Sequence, residues 1–144
     1  MINTSKIVIS GGPGGGKTTI INSLNEHGYF CYDEISRKLI EKGKKNLFIE
    51  NPVNFSKILW EKREEQYNHS IIQKKYDKVF FDRSLLDITS YLEFIDKRNL
   101  KLENKLINFH YDLVFLVKPT KKFYKKDVYR YEDFNQSLKI HNIL

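Results

Sequence analysis

At 144 residues, with 40% hydrophobic and 30% charged content, the chain has the length and make-up of one globular domain and no room for a second. Its longest unbroken apolar run, Leu113 to Val117, is far too short to cross a bilayer, and a single cysteine, Cys31, excludes an internal disulfide. The net charge of +7 comes mostly from Lys, 20 of the 25 basic residues, spread along the chain with Arg scarce. That pattern argues against nucleic acid and is met as well by a field that draws in phosphorylated small molecules.

The first element is a short apolar strand over Lys6–Ser10, reached so early that no signal peptide fits before it, and the chain reads as cytoplasmic. Gly11-Gly12-Pro13-Gly14-Gly15-Gly16-Lys17-Thr18 follows and fits GxxxxGK[ST], the phosphate-binding loop. Glycines let backbone N–H groups turn toward phosphate oxygens, Lys17 reaches the β- and γ-phosphates of ATP, and the Thr18 hydroxyl ligates Mg²⁺. Gly12, Pro13, Gly14, Gly15, Gly16, Lys17, Thr18 and Thr19 are therefore the expected nucleotide contacts, with Lys17 exposed in the empty site. Ile20, Ile21 and Leu24 at helical spacing open the helix whose N-terminus completes the anion site.

Gly28 closes that helix, and Tyr29–Tyr32 reads as a second strand. A short helix is predicted over Ile35–Glu41. Asn51-Pro52 caps a long charged helix running through Trp60 to about Lys75. Val79–Asp82 is the third strand, and Ser84 with Asp87 forms a capping box for the helix carrying Leu85, Ile88 and Leu92. Another helix spans Leu100–Phe109, and Leu113–Val117 is the fourth strand. Past Pro119 come a basic stretch and a last amphipathic helix from about Tyr131 to Leu144, with Phe134, Leu138 and Ile140 on its packing face. Strands alternating with helices predict parallel βαβ crossovers and a three-layer α/β fold, a single domain over 1–144. Ligands then bind beyond the carboxyl ends of the strands, where the loop, Asp33-Glu34 and Asp82-Arg83 converge.

Three absences narrow the chemistry. No DxxG switch and no NKxD guanine reader are present, and Arg83 stands where motor ATPases place a glutamate after the third-strand Asp. A small-molecule kinase fits better, with an acceptor in place of water. Asp82 would hold the Mg²⁺ shell or take the acceptor's proton, or else simply cap the next helix. Arg83 would clamp an acceptor phosphate or carboxylate, and Glu34 and Arg37, one helical turn apart, would pair with each other or grip the acceptor. Lys121, Lys122, Lys125, Lys126 and Arg130 read as a basic lid over 120–131, with Arg130 reaching the transferring phosphate. The histidines, His27, His69, His110 and His141, share no metal-site spacing. A nucleotide-dependent binding or regulatory module, or an ATPase with little transfer activity, stays open as the alternative.

Taken together, Gly11–Thr19, Glu34-x-x-Arg37, Phe80-Phe81-Asp82-Arg83 with Asp87 and Tyr91, Val114-Phe115-Leu116 before Pro119, and Asp127-x-x-Arg130-Tyr131-Glu132 resemble small bacterial P-loop proteins of the AAA-domain ATPase or kinase type. They are similar to the ribosylnicotinamide kinase domain of NadR. Ser84 departs from that family's usual glycine, and Asp-Arg-Ser is closer to deoxynucleoside and nucleotide kinases. The resemblance implies a sheet of strand order 2-3-1-4 and a fifth strand past Leu144. Without it the fourth strand is an exposed apolar edge, to be covered by a partner chain, as in a homo-oligomer, or by residues beyond this sequence.

Overall fold

The computed structural model describes residues 3–12, 16–120 and 134–144. Strands β1 (Ser5–Ser10), β2 (Phe30–Tyr32), β3 (Lys78–Asp82) and β4 (Leu113–Leu116) form one sheet in the order β2-β3-β1-β4. Every pairing is parallel, as helical crossovers between successive strands require. The expected order holds.

Helix α1 (Lys17–Glu26) follows β1, and α4 (Pro52–Ile72) and α5 (Leu85–Phe94) flank β3 in the chain. Alternation along β1 sends Ile7 and Ile9 to one face, where they pack with Phe80 and with Ile21 of α1. Val8 faces the other way, with Tyr32, Val79 and Phe81. On that side Tyr32 meets His69 of α4 through a 2.6 Å hydrogen bond. The largest core cluster joins α4 to α5 through Phe55, Leu59, Trp60, Leu85, Ile88 and Leu92.

Local signals explain most boundaries. Asn51 accepts the Asn54 N–H to cap α4, with Pro52 in its first turn. Ser84 and Asp87 form the full reciprocal capping box on α5. Three expectations change. The helix predicted to end at Glu41 starts as α2 (Ile35–Leu39), kinks at Gly43 (φ 98°) and continues as α3 (Lys45–Glu50). A left-handed glycine reorients the helix there rather than ending it. The helix expected to reach Phe109 is α6 (Leu100–Lys105), which tightens into one 3₁₀ turn over Leu106–Asn108. In α7 (Phe134–Ile143) the buried residues are Ser137 and Ile140. Its main neighbours are α5 and Gly12, so it lies on the start of the glycine loop. The proposed lid cations, Lys121, Lys122, Lys125, Lys126 and Arg130, lie outside the described residues.

Candidate functional site

The site is built where β1, β2 and β3 end. Register places Ile9 beside Asp82, so the third-strand carboxylate stands next to the chain just before it enters the glycine loop. Gly11 sits at φ 134°, and a Cβ there would lie 2.1 Å from the Val117 carbonyl oxygen; only glycine fits. Gly16 precedes α1 in left-handed backbone, and no side chain caps the helix or puts a carboxylate in its first turn. The first amides of α1 therefore stay available to an anion, as phosphate binding requires. Pro13, Gly14 and Gly15 lie outside the described residues.

Lys17 is not exposed, contrary to expectation. Its Nζ pairs with Asp82 Oδ1, and the two side chains are only 12% and 10% exposed. Burial, followed by the positive field of Arg83, pushes the ammonium below its usual range, while Asp82 pulls the other way. The lysine of the glycine-loop motif thus rests on the carboxylate at the end of the third strand.

Arg83 stands at φ 72°, a left-handed backbone that costs a non-glycine residue of order 1 kcal/mol or more. Its guanidinium is fixed from two sides: Nη1 donates to the Gly11 carbonyl at 2.8 Å and to Asp87 Oδ1 at 3.3 Å. Asp87 in turn is buried and saturated. It accepts from the Ser84 N–H at 2.7 Å, the Ser84 hydroxyl at 3.0 Å and the Ser10 hydroxyl. Beyond its capping role, Asp87 orients an arginine that touches the start of the glycine loop.

Glu34 closes the end of β2. Its carboxylate caps α2 by accepting the Ser36 and Arg37 N–H groups at 3.0 and 2.9 Å. It forms its ion pair with Arg63 of α4, at 2.9 Å. Burial alone would raise the Glu34 pKa, but Arg63, then Arg83, Lys17 and the Ser36 hydrogen bond outweigh it and hold it at about 2. Lys17, Glu34, Asp82 and Arg83 thus share one electrostatic neighbourhood, while the Arg37 side chain is exposed.

Arg63 was not anticipated. It is 3% exposed, donates from Nη1 to the Ser84 carbonyl at 2.9 Å and from Nη2 to Glu34, and its Nε has no partner among the described residues. A signal existed: Phe55, Leu59, Trp60, Arg63 and Tyr67 follow the helical period, so this arginine falls on the buried stripe of α4.

The donors suit a magnesium nucleotide. Among the described residues no three of His, Cys, Asp and Glu gather to hold a metal alone. An ion bound by Thr18 and Asp82 would complete its octahedron with phosphate and water, as Mg²⁺ prefers.

Fold and site together define a P-loop nucleotide-binding protein of kinase-like fold. The chain belongs to the AAA domain family AAA_28, whose model matches residues 6–144. Among solved structures it resembles deoxyadenosine kinase from M. mycoides with bound dATP: TM-score 0.63, 18% identity, 96% of this chain and 81% of that one covered. The same kinase with the products dCMP and a flexible dCDP gives 0.61 at 18% identity, covering 96% and 80%, and with bound dCTP 0.58 at 16% identity, with the same coverage. At these identities the likeness is one of fold. No curated protein matches the sequence. No helix among the described residues is long and apolar enough to cross a membrane.

Proposed function

We propose that this chain is a kinase that transfers the γ-phosphoryl group of ATP, bound with Mg²⁺, to a hydroxyl of a nucleoside-like or other small metabolite. The observation that carries this reading is the charged cluster beside Lys17. Glu34, Asp82 and Arg83, with Arg63 behind them, line the carboxyl ends of adjacent strands, where a second substrate would sit. A module that only binds nucleotide has no use for it. The deoxyadenosine kinase of similar fold, with deoxynucleotides bound, makes a deoxynucleoside the first acceptor to test.

In this reading the acceptor oxygen forms a bond to the γ-phosphorus as the bond to the bridging oxygen breaks, and that oxygen's electron pair leaves with ADP. The acceptor's proton passes to Asp82, while Glu34, held ionised by Arg63, grips the acceptor. Lys17 exchanges Asp82 for the β- and γ-phosphates, which frees that carboxylate at the moment nucleotide arrives. Mg²⁺ on Thr18 and Asp82 would neutralise charge on the phosphates. From its place in the sequence, Arg130 is the further cation we assign to the moving group.

The test is acceptor-stimulated ADP formation across a panel of nucleosides and nucleotides with Mg²⁺. One class should raise ADP release and yield a phosphorylated product, both lost in Asp82→Asn. ATP binding without acceptor-dependent turnover for any member would instead favour a nucleotide-responsive binding module.

A further inference from the structure

We propose that Asp87 is a positioning residue for phosphoryl transfer: it locks the turn after β3 onto the root of the glycine loop and so sets the spacing between donor phosphates and acceptor. Its part in transfer rests on the kinase reading above, while the lock itself is a feature of the fold.

Three consecutive residues that lead into the loop are held by this turn. The Arg83 N–H donates to the Ile9 carbonyl at 3.1 Å, the Ser10 hydroxyl donates to Asp87 Oδ1, and Arg83 Nη1 donates to the Gly11 carbonyl at 2.8 Å. At the far end of the loop, Lys17 Nζ pairs with Asp82 Oδ1. Adjacent residues of one turn, Asp82 and Arg83, therefore hold the two ends of the loop, Lys17 and Gly11.

Asp87 keeps Arg83 in this grip, and its two oxygens have separate tasks. Oδ2 completes the cap of α5, accepting the Ser84 N–H at 2.7 Å and the Ser84 hydroxyl at 3.0 Å. Oδ1 takes no part in the cap; its donors are the Ser10 hydroxyl and Arg83 Nη1, the latter at 3.3 Å. A carboxylate that only capped a helix could leave its second oxygen in water, whereas the Asp87 side chain is 6% exposed. Burying a carboxylate is unfavourable unless donors meet its oxygens, and the loop root and the guanidinium are the donors brought to Oδ1. Arg83 in turn holds a left-handed backbone at φ 72°, a conformation that persists where the surroundings over-determine it. Its bonds to Ile9, Gly11 and Asp87 are those surroundings.

Phosphoryl transfer is accelerated mainly by positioning and charge, and a displacement of about 1 Å costs roughly 10²-fold in rate. Without Oδ1 the guanidinium loses its orienting partner, and the turn that carries Asp82 is no longer tied firmly to Gly11. ATP still meets Lys17 and the first amides of α1, so the loss falls on turnover more than on nucleotide affinity.

Asp87→Asn separates lock from cap, because its one oxygen can still face Ser84 while an amide NH₂ replaces the acceptor toward Ser10 and Arg83. Amide exchange should quicken at Arg83, whose N–H bonds Ile9, and stay at the wild-type rate over residues 89–94 of α5. With an acceptor that the wild type phosphorylates, kcat should fall about 10²-fold while KM for ATP stays within several-fold. Arg83→Gln should also lower kcat, and adding Asp87→Asn to it should lower it little further, since Asp87 acts through Arg83. Exchange that quickens throughout α5 and not at Arg83 makes Asp87 a cap alone and overturns the proposal. Losses that multiply in the double variant overturn it too. If Asp87→Asn does not fold, Ser10→Ala decides: it removes the loop root's donor to Oδ1 and should give the same pattern at several-fold, and no change there overturns the lock. A wild type that phosphorylates no acceptor defeats the kinase reading and the role in transfer with it. A wild type that does, with Asp87→Asn equally fast, defeats this inference alone.

Discussion

Arg63 and Glu34 meet at 2.9 Å although 29 residues separate them, and the same guanidinium also holds the Ser84 carbonyl. One buried cation thereby ties the end of β2 to the turn after β3, the two places from which the site's carboxylates project. With side-chain exposures of 4% and 18%, the pair is shielded from solvent, and breaking it from one side strands a charge. Arg63→Met should lower unfolding free energy by about 3–5 kcal/mol. Arg63→Met with Glu34→Gln should cost less than Arg63→Met alone, because no uncompensated carboxylate remains. Urea unfolding of the four proteins of this cycle measures both; a double variant that loses the sum of the two single losses would show that the pair is not coupled.

The same carboxylate sets an acid limit. Glu34 titrates at about 2 in the folded chain against about 4.3 when unfolded. A folded pKa below the unfolded one gives stability that is fully present above about pH 4.3 and is lost as pH falls toward 2. That difference between the folded and unfolded carboxyl corresponds to about 3 kcal/mol. Urea midpoints from pH 7 down to pH 3 should therefore fall in the wild type and fall less in Glu34→Gln. Parallel curves would mean that other carboxylates govern acid unfolding.

Legibility in the sequence tracked the range of the interactions. The glycine loop, the Asn51-Pro52 cap and the Ser84-Asp87 box are local rules, and the fold follows from strand and helix alternation. Arg63 was hidden because Glu61, Lys62, Glu64 and Glu65 surround it and make the segment read as a solvated face. Its burial comes with its contacts to Glu34 at the start of α2 and to the turn after β3, which no short window contains. The same holds for Lys17: its motif gives the residue a phosphate to reach, while its enclosure on Asp82 is a tertiary fact 65 residues distant. The continuation of α2 beyond Gly43 failed for the opposite reason, since a glycine reads as a stop whether it ends a helix or bends it.

Lys17 and Asp82 define a second cycle with a functional readout. Lys17→Met should abolish tight ATP·Mg²⁺ binding, and it should also destabilise the empty protein by about 3 kcal/mol, because Asp82 loses its enclosed partner. Asp82→Asn should leave ATP affinity within several-fold of wild type while transfer collapses, as expected for a group that acts mainly in the transition state. Calorimetric titration, thermal melts and product formation separate these effects. An Asp82→Asn variant that loses ATP affinity as completely as Lys17→Met would make Asp82 chiefly a metal ligand.

Gly12 is where the last helix and the glycine loop share space. A Cβ at this position would lie 2.2 Å from the Ser137 carbonyl, 2.7 Å from Pro119 Cγ and 2.8 Å from His141 Cβ. The first of these is backbone inside α7 and cannot swing aside, so Gly12→Ala must displace the helix. That displacement also breaks the bond from the Gly12 N–H to His141 Nδ1, 3.3 Å long. Overpacking of this kind costs about 1–3 kcal/mol. Amide exchange over Phe134–Ile143 should accelerate in Gly12→Ala, while β1 and β3 keep their protection. His141→Ala removes the ring acceptor without the collision and should produce a smaller acceleration confined to the same helix. If α7 exchanges at the wild-type rate in Gly12→Ala, the loop has moved in place of the helix, and the loss should then appear as weakened nucleotide binding.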